Sequence, residues 1–324
     1  MDTIITKRSI PASSAFLTDV LKGLQQEQKS LSSKYFYDEK GDRIFQQIMD
    51  MDEYYLTNAE MEILQQQSPK LANLIAVDKQ PFDLIELGAG DATKSIHLLK
   101  VLLKQQLDFT YLPIDISEHV IDDLEENLPK QLPELKMKGL NGDYFKMLQR
   151  AKELSNRRKV VLFMGANIGN MSLDDAKAFC QSLRNELSPN DLLIIGFDLK
   201  KNPRQILAAY NDAAGITRSF NLNLLHRINR ELAGDFDVDA FDHYAFYDPE
   251  SGACKSYLIS LSEQQVNIGD ETIQFKKNEP IYMEISQKYD LEDINQLAKN
   301  TGFTPVHRFF DHQEYFVDAV WRVD

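Results

Sequence analysis

Short apolar runs alternate with amphipathic stretches through the middle of the chain, and the two kinds of segment keep different periods. Residues 82–87, FDLIEL, are nearly all apolar and end in GAGDATKS. The next stretch, SIHLLKVLLK, carries Ile96, Leu98, Leu99, Val101, Leu102 and Leu103, a density that predicts a mostly buried helix. The pattern returns in FTYLPID (109–115), followed by Ser117 as a predicted N-cap and by EHVIDDLEENL, with Val120, Ile121, Leu124 and Leu128 on one helical face. A third strand is predicted at KVVLFMG (159–165). It leads through ANIGN to SLDD, where Ser172 and Asp175 predict a capping box for a helix with Leu173, Ala176, Phe179, Leu183 and Leu187 turned inward. A fourth, DLLIIGFD (191–198), is entered through the turn SPND, and the chain closes with a helix in LEDINQLAKNTGF (291–303), stopped at Gly302, and a β-rich YFVDAVWRV (315–323). Strands alternating with helices at this spacing imply right-handed crossovers and an α/β fold with a mostly parallel sheet. Such sheets bind ligands at the carboxyl ends of their strands.

Two stretches break the alternation, residues 1 to about 60 and about 199 to 288. The first contains the aromatic-rich YFYDEKGDRIFQQIMDMDEYYLTNAE; the second contains AAYNDAAGITRSFNLNLLHRINREL and short β-like runs such as SYLISL. Together they predict a second, smaller lobe (1–60 with 199–288) inserted into a sheet domain (61–198 with 289–324). The 324 residues, 43% apolar and 27% charged, suit a soluble globular protein, and no run of about 18 apolar residues predicts a membrane span. The opening MDTIITKRSIPASS lacks the apolar core of a secretory leader, so a cytoplasmic location is expected. Cys180 and Cys254 stand far apart and predict two buried thiols, while the six histidines show no HExxH or similar ligand spacing, which argues against a metal. A net charge of −14 argues against nucleic acid.

Candidate chemistry begins at ELGAGD (86–91), where Gly88 and Gly90 allow a tight turn and close approach of the backbone to a ligand. The stretch has the form E-x-G-x-G, without the third glycine of a dinucleotide fingerprint. Asp115, 27 residues after Gly88, ends the next strand where a carboxylate can accept both hydroxyls of a ribose. Asp143, within NGDYF, is placed to accept from an adenine amino group. The set favours S-adenosylmethionine over NAD. The plainer alternative, a tight turn with Asp115 as a cap, stays open on these residues alone.

YFYDEKGDRIFQQIMDMDEYYLTNAE, LIELGAGDATKS, YLPIDIS, FMGANIGNM, AAYNDAAGITRSFNLNLL, NRELAGDFDVDAFDH and YMEISQKY, in this order over nearly the whole chain, resemble the histidine-specific methyltransferases of ergothioneine biosynthesis. The resemblance implies a Rossmann-like class I methyltransferase domain with a second, smaller substrate-binding lobe formed by the N-terminal segment and the insertion. It further implies transfer of three methyl groups from S-adenosylmethionine to the α-amino nitrogen of L-histidine, giving hercynine. Carried over residue by residue, it puts Gly88, Gly90, Lys94, Asp115 and Asp143 at the cofactor, and Tyr37 beside the reacting nitrogen. Tyr54, Gly165, Asn170 and Tyr210 then hold the amino acid, and Glu284 and Ser286 read its imidazole. The family's A-Y-D-D-A-A-G has Asn211 here in place of its first aspartate, and Ser256 falls where characterised members have a methionine beside the imidazole. Ser256 leaves open a methyltransferase for another amino acid or amine; a module that binds the cofactor without catalysis is the third reading. The expected partner is a free amino acid bound by a monomer.

Overall fold

A computed structural model describes residues 15–77 and 79–324, so the opening stretch read above for leader features lies outside the described residues. The chain forms two compact units: the described part of Met1–Tyr54 with Asn202–Ser286, and Tyr55–Lys201 with Gln287–Asp324. In chain order, helices α1 (Ala15–Leu24), α2 (Glu39–Met49) and α3 (Tyr55–Ile75) come first. The alternating region follows as β1 (Phe82–Leu87), α4 (Ser95–Lys104), β2 (Phe109–Asp115), α5 (Glu118–Gln131), β3 (Leu140–Asn141) and α6 (Tyr144–Leu154). It continues through β4 (Arg158–Phe163), α7 (Leu173–Glu186) and β5 (Leu192–Asp198). Next come α8 (Pro203–Tyr210), α9 (Ile216–Glu231), β6 (Phe241–Asp248), β7 (Ala253–Ser260), β8 (Gln264–Ile268), β9 (Glu271–Phe275) and β10 (Pro280–Gln287). The last elements are α10 (Leu291–Asn300), β11 (Phe303–Phe310) and β12 (Phe316–Val323).

The larger unit is built on a seven-stranded sheet of order β11-β12-β5-β4-β1-β2-β3. β1 runs parallel to both β2 and β4, and β4 parallel to β5, whereas β12 is antiparallel to β5 and β11. All six residues of β1 and all seven of β5 are buried, as expected for central strands covered on both faces. The strand order reverses between β1 and β4, which makes the carboxyl ends of these two strands the switch point where doubly wound sheets bind ligands. In the smaller unit, a three-stranded sheet β10-β7-β6 and the hairpin β8-β9 accompany the helices. Its core joins Phe36, Ile44 and Ile48 from the first segment with Phe220, Leu224 and Met283 from the second.

β1 and β2 take the predicted bounds, and Ser117 caps α5 through Val120 N–H. Both cysteines are buried free thiols. The structure departs from expectation at the ends of β4 and β5, which run Arg158–Phe163 and Leu192–Asp198, and at α7 and β11. Ser172 Oγ caps α7 by accepting from Asp175 N–H at 3.2 Å, but the Asp175 carboxylate accepts the Ser172 hydroxyl at 2.6 Å, so the box is not closed through the backbone of Ser172. Leu173, expected inward, is 52% exposed because it occupies the first helical position, off the buried face. The edge strand β11 went unread: its single partner strand, Pro305 and a register shift between Pro305 and His307 blur its period. Among the described residues no helix is long and apolar enough to cross a membrane.

Candidate active site

At the switch point of the larger unit, Gly88 and Gly165 follow β1 and β4 with φ of +71° and +76°, a left-handed conformation that other side chains rarely adopt. A Cβ on Gly88 would lie 2.7 Å from Tyr144 Oη, so the backbone here is closed in on one side. Gly90, φ +52°, has nothing within 4 Å of where its Cβ would stand. Asn167 Nδ2 lies 3.6 Å from the Cβ position of both Gly88 and Gly165, which brings the two glycine turns side by side. The Asp115 carboxylate, at the end of β2, accepts from Gly90 N–H at 3.4 Å and Ser117 N–H at 3.0 Å, so its direction is set before any ligand arrives. Next to it Ile116 is 81% exposed, an apolar side chain that the sequence reading passed over. Asp143 caps α6 through Phe145 N–H and Lys146 N–H. Asn170 ends the short helical turn Asn167–Asn170 and is exposed.

Three buried carboxylates shape this edge, and none was singled out from sequence. Glu60 on α3 accepts from Gly165 N–H at 2.7 and 3.0 Å and pairs with Lys94, whose ammonium is held charged against burial by that carboxylate. Lys94, assigned to the cofactor by resemblance, thus has its charge directed at Glu60. Asp318 on β12 is fully buried without a hydrogen-bond partner; burial and the neighbouring Glu60 push its carboxyl far above the usual range. Glu86, within ELGAGD, takes the hydroxyls of Ser95 and of Tyr111, the latter at 2.5 Å. Burial raises its carboxyl to about 7, opposed by those two hydrogen bonds.

A second buried cluster lies at the end of β5. Asp198 pairs with Lys288 at 2.6 Å and with Lys201, and accepts from Tyr55 Oη at 2.9 and 3.0 Å. Burial opposes ionisation, but the two ammonium groups win and hold Asp198 below the usual carboxylate range. Tyr55, Lys201 and Lys288 stand beside or close to the three places where the chain passes between units. One carboxylate therefore ties down all three connections from the larger unit's side.

Within the smaller unit the substrate residues suggested by resemblance form a chain of contacts. Tyr37, 46% exposed, meets Phe45 edge-on at 5.5 Å and Phe220 at 5.7 Å between ring centroids. Phe45 meets Tyr54 at 6.4 Å, and Tyr54 meets Tyr210 at 6.2 Å. Tyr210 Oη is 2.7 Å from Ser286 Oγ. On β10, Ile281 and Met283 turn into the core, and Tyr282, Glu284 and Ser286 share the other face, as a period of two requires. Asn221 on α9 approaches Glu284, its Nδ2 3.4 Å from Oε1. Ser256 is fully buried on β7, beside β10 in the sheet. Phe45, Phe220 and Asn221 lie in stretches quoted above, but single-residue spacing carries no sign of their partners.

A protein family described as histidine-specific methyltransferase, SAM-dependent, matches residues 16–323. The chain is 32% identical over 302 residues to the histidine N-alpha-methyltransferase of Mycolicibacterium smegmatis, covering 93% of this chain and 92% of that protein. Ergothioneine biosynthesis protein 1 of Schizosaccharomyces pombe is 30% identical over 285 residues, 86% of this chain and 37% of that longer one. The 4-dimethylallyltryptophan N-methyltransferase of Aspergillus fumigatus is 27% identical over 315 residues, 92% of this chain and 91% of that protein. With a doubly wound sheet carrying glycine turns at its switch point, and with likeness running almost end to end, the chain belongs to the histidine-specific, S-adenosylmethionine-dependent methyltransferases.

Proposed function

We propose that this enzyme methylates the α-amino nitrogen of L-histidine, three times, to give hercynine. The observation that carries the reading is the linked series Tyr37, Phe45, Tyr54, Tyr210, Ser286 in the smaller unit, with Glu284 on the same strand face as Ser286. It combines aromatic faces suited to a cationic nitrogen with a carboxylate and hydroxyl suited to a ring N–H. A relative named for histidine N-alpha-methylation, alike over 93% of this chain, supports it. The same reading takes the protein as a cytoplasmic monomer acting on a free amino acid.

In this assignment Gly88, Gly90, Lys94, Asp115 and Asp143 hold the cofactor, with Ile116 against its flat ring, and the open space at Gly90 fits a ligand lying directly on the main chain. Bound there, S-adenosylmethionine supplies an electrophilic sulfonium methyl. The chain's own task is positioning, since in-line displacement requires the amine lone pair about 3 Å from the methyl. Tyr54, Gly165, Asn170 and Tyr210 hold the amino acid's amine and carboxylate, and Tyr210 Oη fixes the Ser286 hydroxyl for the side chain. Tyr37 stands beside the nitrogen, where its hydroxyl passes the departing proton towards water. Its ring tolerates the growing ammonium through cation–π attraction of about 0.5–2 kcal/mol. Repeated methylation then needs space and no new group.

A second reading keeps the chemistry and changes the amine. Ser256, small and polar where the family places a methionine, favours it, as does the similarity to a prenylated-tryptophan N-methyltransferase. Incubation with S-adenosylmethionine and each of the twenty amino acids, read by mass spectrometry for one, two or three added methyls, decides between them. Trimethylation confined to histidine is expected; methylation of another amino acid in preference to histidine overturns the first reading.

A further inference from the structure

Asn221 is fully buried on α9. Its Nδ2 lies 3.1 Å from the backbone oxygen of Thr217 and 3.4 Å from Glu284 Oε1. A carbonyl and a carboxylate only accept, so the amide nitrogen must face both, and turning the group over would set oxygen against oxygen twice. The orientation of the side chain is thereby fixed by its neighbours. Its Oδ1, on the far side of the amide, is buried and meets no donor. Native proteins leave few such acceptors unpaired, and one beside a residue assigned to substrate recognition calls for a ligand donor.

We propose that Asn221 determines specificity: Nδ2 fixes the Glu284 carboxylate, and Oδ1 accepts an N–H brought in by the side chain of the bound amino acid. The assignment rests on the use of Glu284 in the proposed function and extends it to the class of side chain accepted, a nitrogen heterocycle in place of a hydrocarbon or sulfur ring. A thienyl or phenyl ring offers no donor, so it leaves the buried Asn221 Oδ1 unpaired. Sites built around a substrate N–H reject such analogues strongly for this reason.

The test compares kcat/KM for L-histidine with that for 3-(2-thienyl)-L-alanine, of similar size but without a ring N–H, in wild-type protein and in Asn221→Leu. Binding of S-adenosylhomocysteine by calorimetry reports folding of the larger unit in each. The histidine-to-thienylalanine ratio is expected to fall about tenfold or more in the variant, the loss of one hydrogen bond to a buried acceptor. A role in folding alone lowers both substrates together and leaves the ratio unchanged, and that result overturns the assignment. Asn221→Ser, a smaller polar side chain that also withdraws the amide oxygen, is read by the same ratio should the leucine variant fail to fold. Wild-type protein that leaves histidine unmethylated removes the functional reading itself, whereas wild-type turnover with an unchanged variant ratio removes only Asn221.

Discussion

Glu86→Gln tests the electrostatics beneath the glycine turn. The Glu86 carboxyl is 3% exposed and titrates at about 7, against 4.5 when exposed, because burial disfavours the charged form. Between those values the unfolded chain has lost the proton and the folded protein has kept it, so the unfolded state binds fewer protons and stability declines as pH rises. Integrating that difference gives a penalty of about 0.8 kcal/mol at pH 5 and about 3.3 kcal/mol at pH 8. Glutamine keeps an acceptor for Ser95 or Tyr111 and cannot ionise. The variant should therefore gain about 2.5 kcal/mol on wild type between pH 5 and pH 8, whatever the constant cost of the substitution. The assay is urea unfolding followed by the fluorescence of Trp321, the chain's one tryptophan, buried on β12 in the same unit as Glu86. A difference between the two pH values under about 1 kcal/mol, or of opposite sign, refutes the raising of the Glu86 carboxyl by burial.

Asp198→Ala strands Lys201 and Lys288 in the interior and should cost about 3–5 kcal/mol by the same fluorescence assay; a cost below about 1 kcal/mol contradicts the pairing described. In wild type the Asp198 carboxyl titrates below its ordinary 3.8, so its contribution is complete above that pH and disappears only as acid carries the protein through the lower folded value. Gly88→Ala forces a Cβ against Tyr144 Oη at a left-handed φ, a strain of about 1–2 kcal/mol, and should weaken S-adenosylhomocysteine binding about tenfold in titration calorimetry; unchanged affinity argues against a ligand on this turn. Tyr37→Phe should slow methyl transfer or shift the mono-, di- and trimethylated proportions, measured by mass spectrometry, and an unaltered rate and profile excludes Tyr37 from the reaction.

β1 and β2 could be read to the residue and β5 to within one, because burial on both faces leaves such strands few polar positions, as in LLIIGFD of β5. β11 was invisible for the opposite reason: an edge strand with exposed His307 and a bulge at Pro305 has no consistent inner face. Glycine turns announce themselves locally, so Gly88, Gly90 and Gly165 stood out. The groups that orient them did not. Glu60 lies 105 positions from the Gly165 N–H it accepts, and Asn221 lies 63 from Glu284, separations at which no periodicity links two residues. Tyr37, Tyr54 and Tyr210 were identified through family resemblance; nothing in their spacing shows that their rings join into one series.

The smaller unit draws its core from segments separated by roughly 150 residues of the larger one. A ribosome adding 5–20 residues per second needs about 7–30 s to cross that gap. During that interval Phe36, Ile44 and Ile48 have been made, but Phe220, Leu224 and Met283, against which they pack, have not. The nascent chain carries its amphipathic helix α2 uncovered for longer than a small domain takes to fold, so this half of the enzyme ripens late and offers chaperones a defined early window.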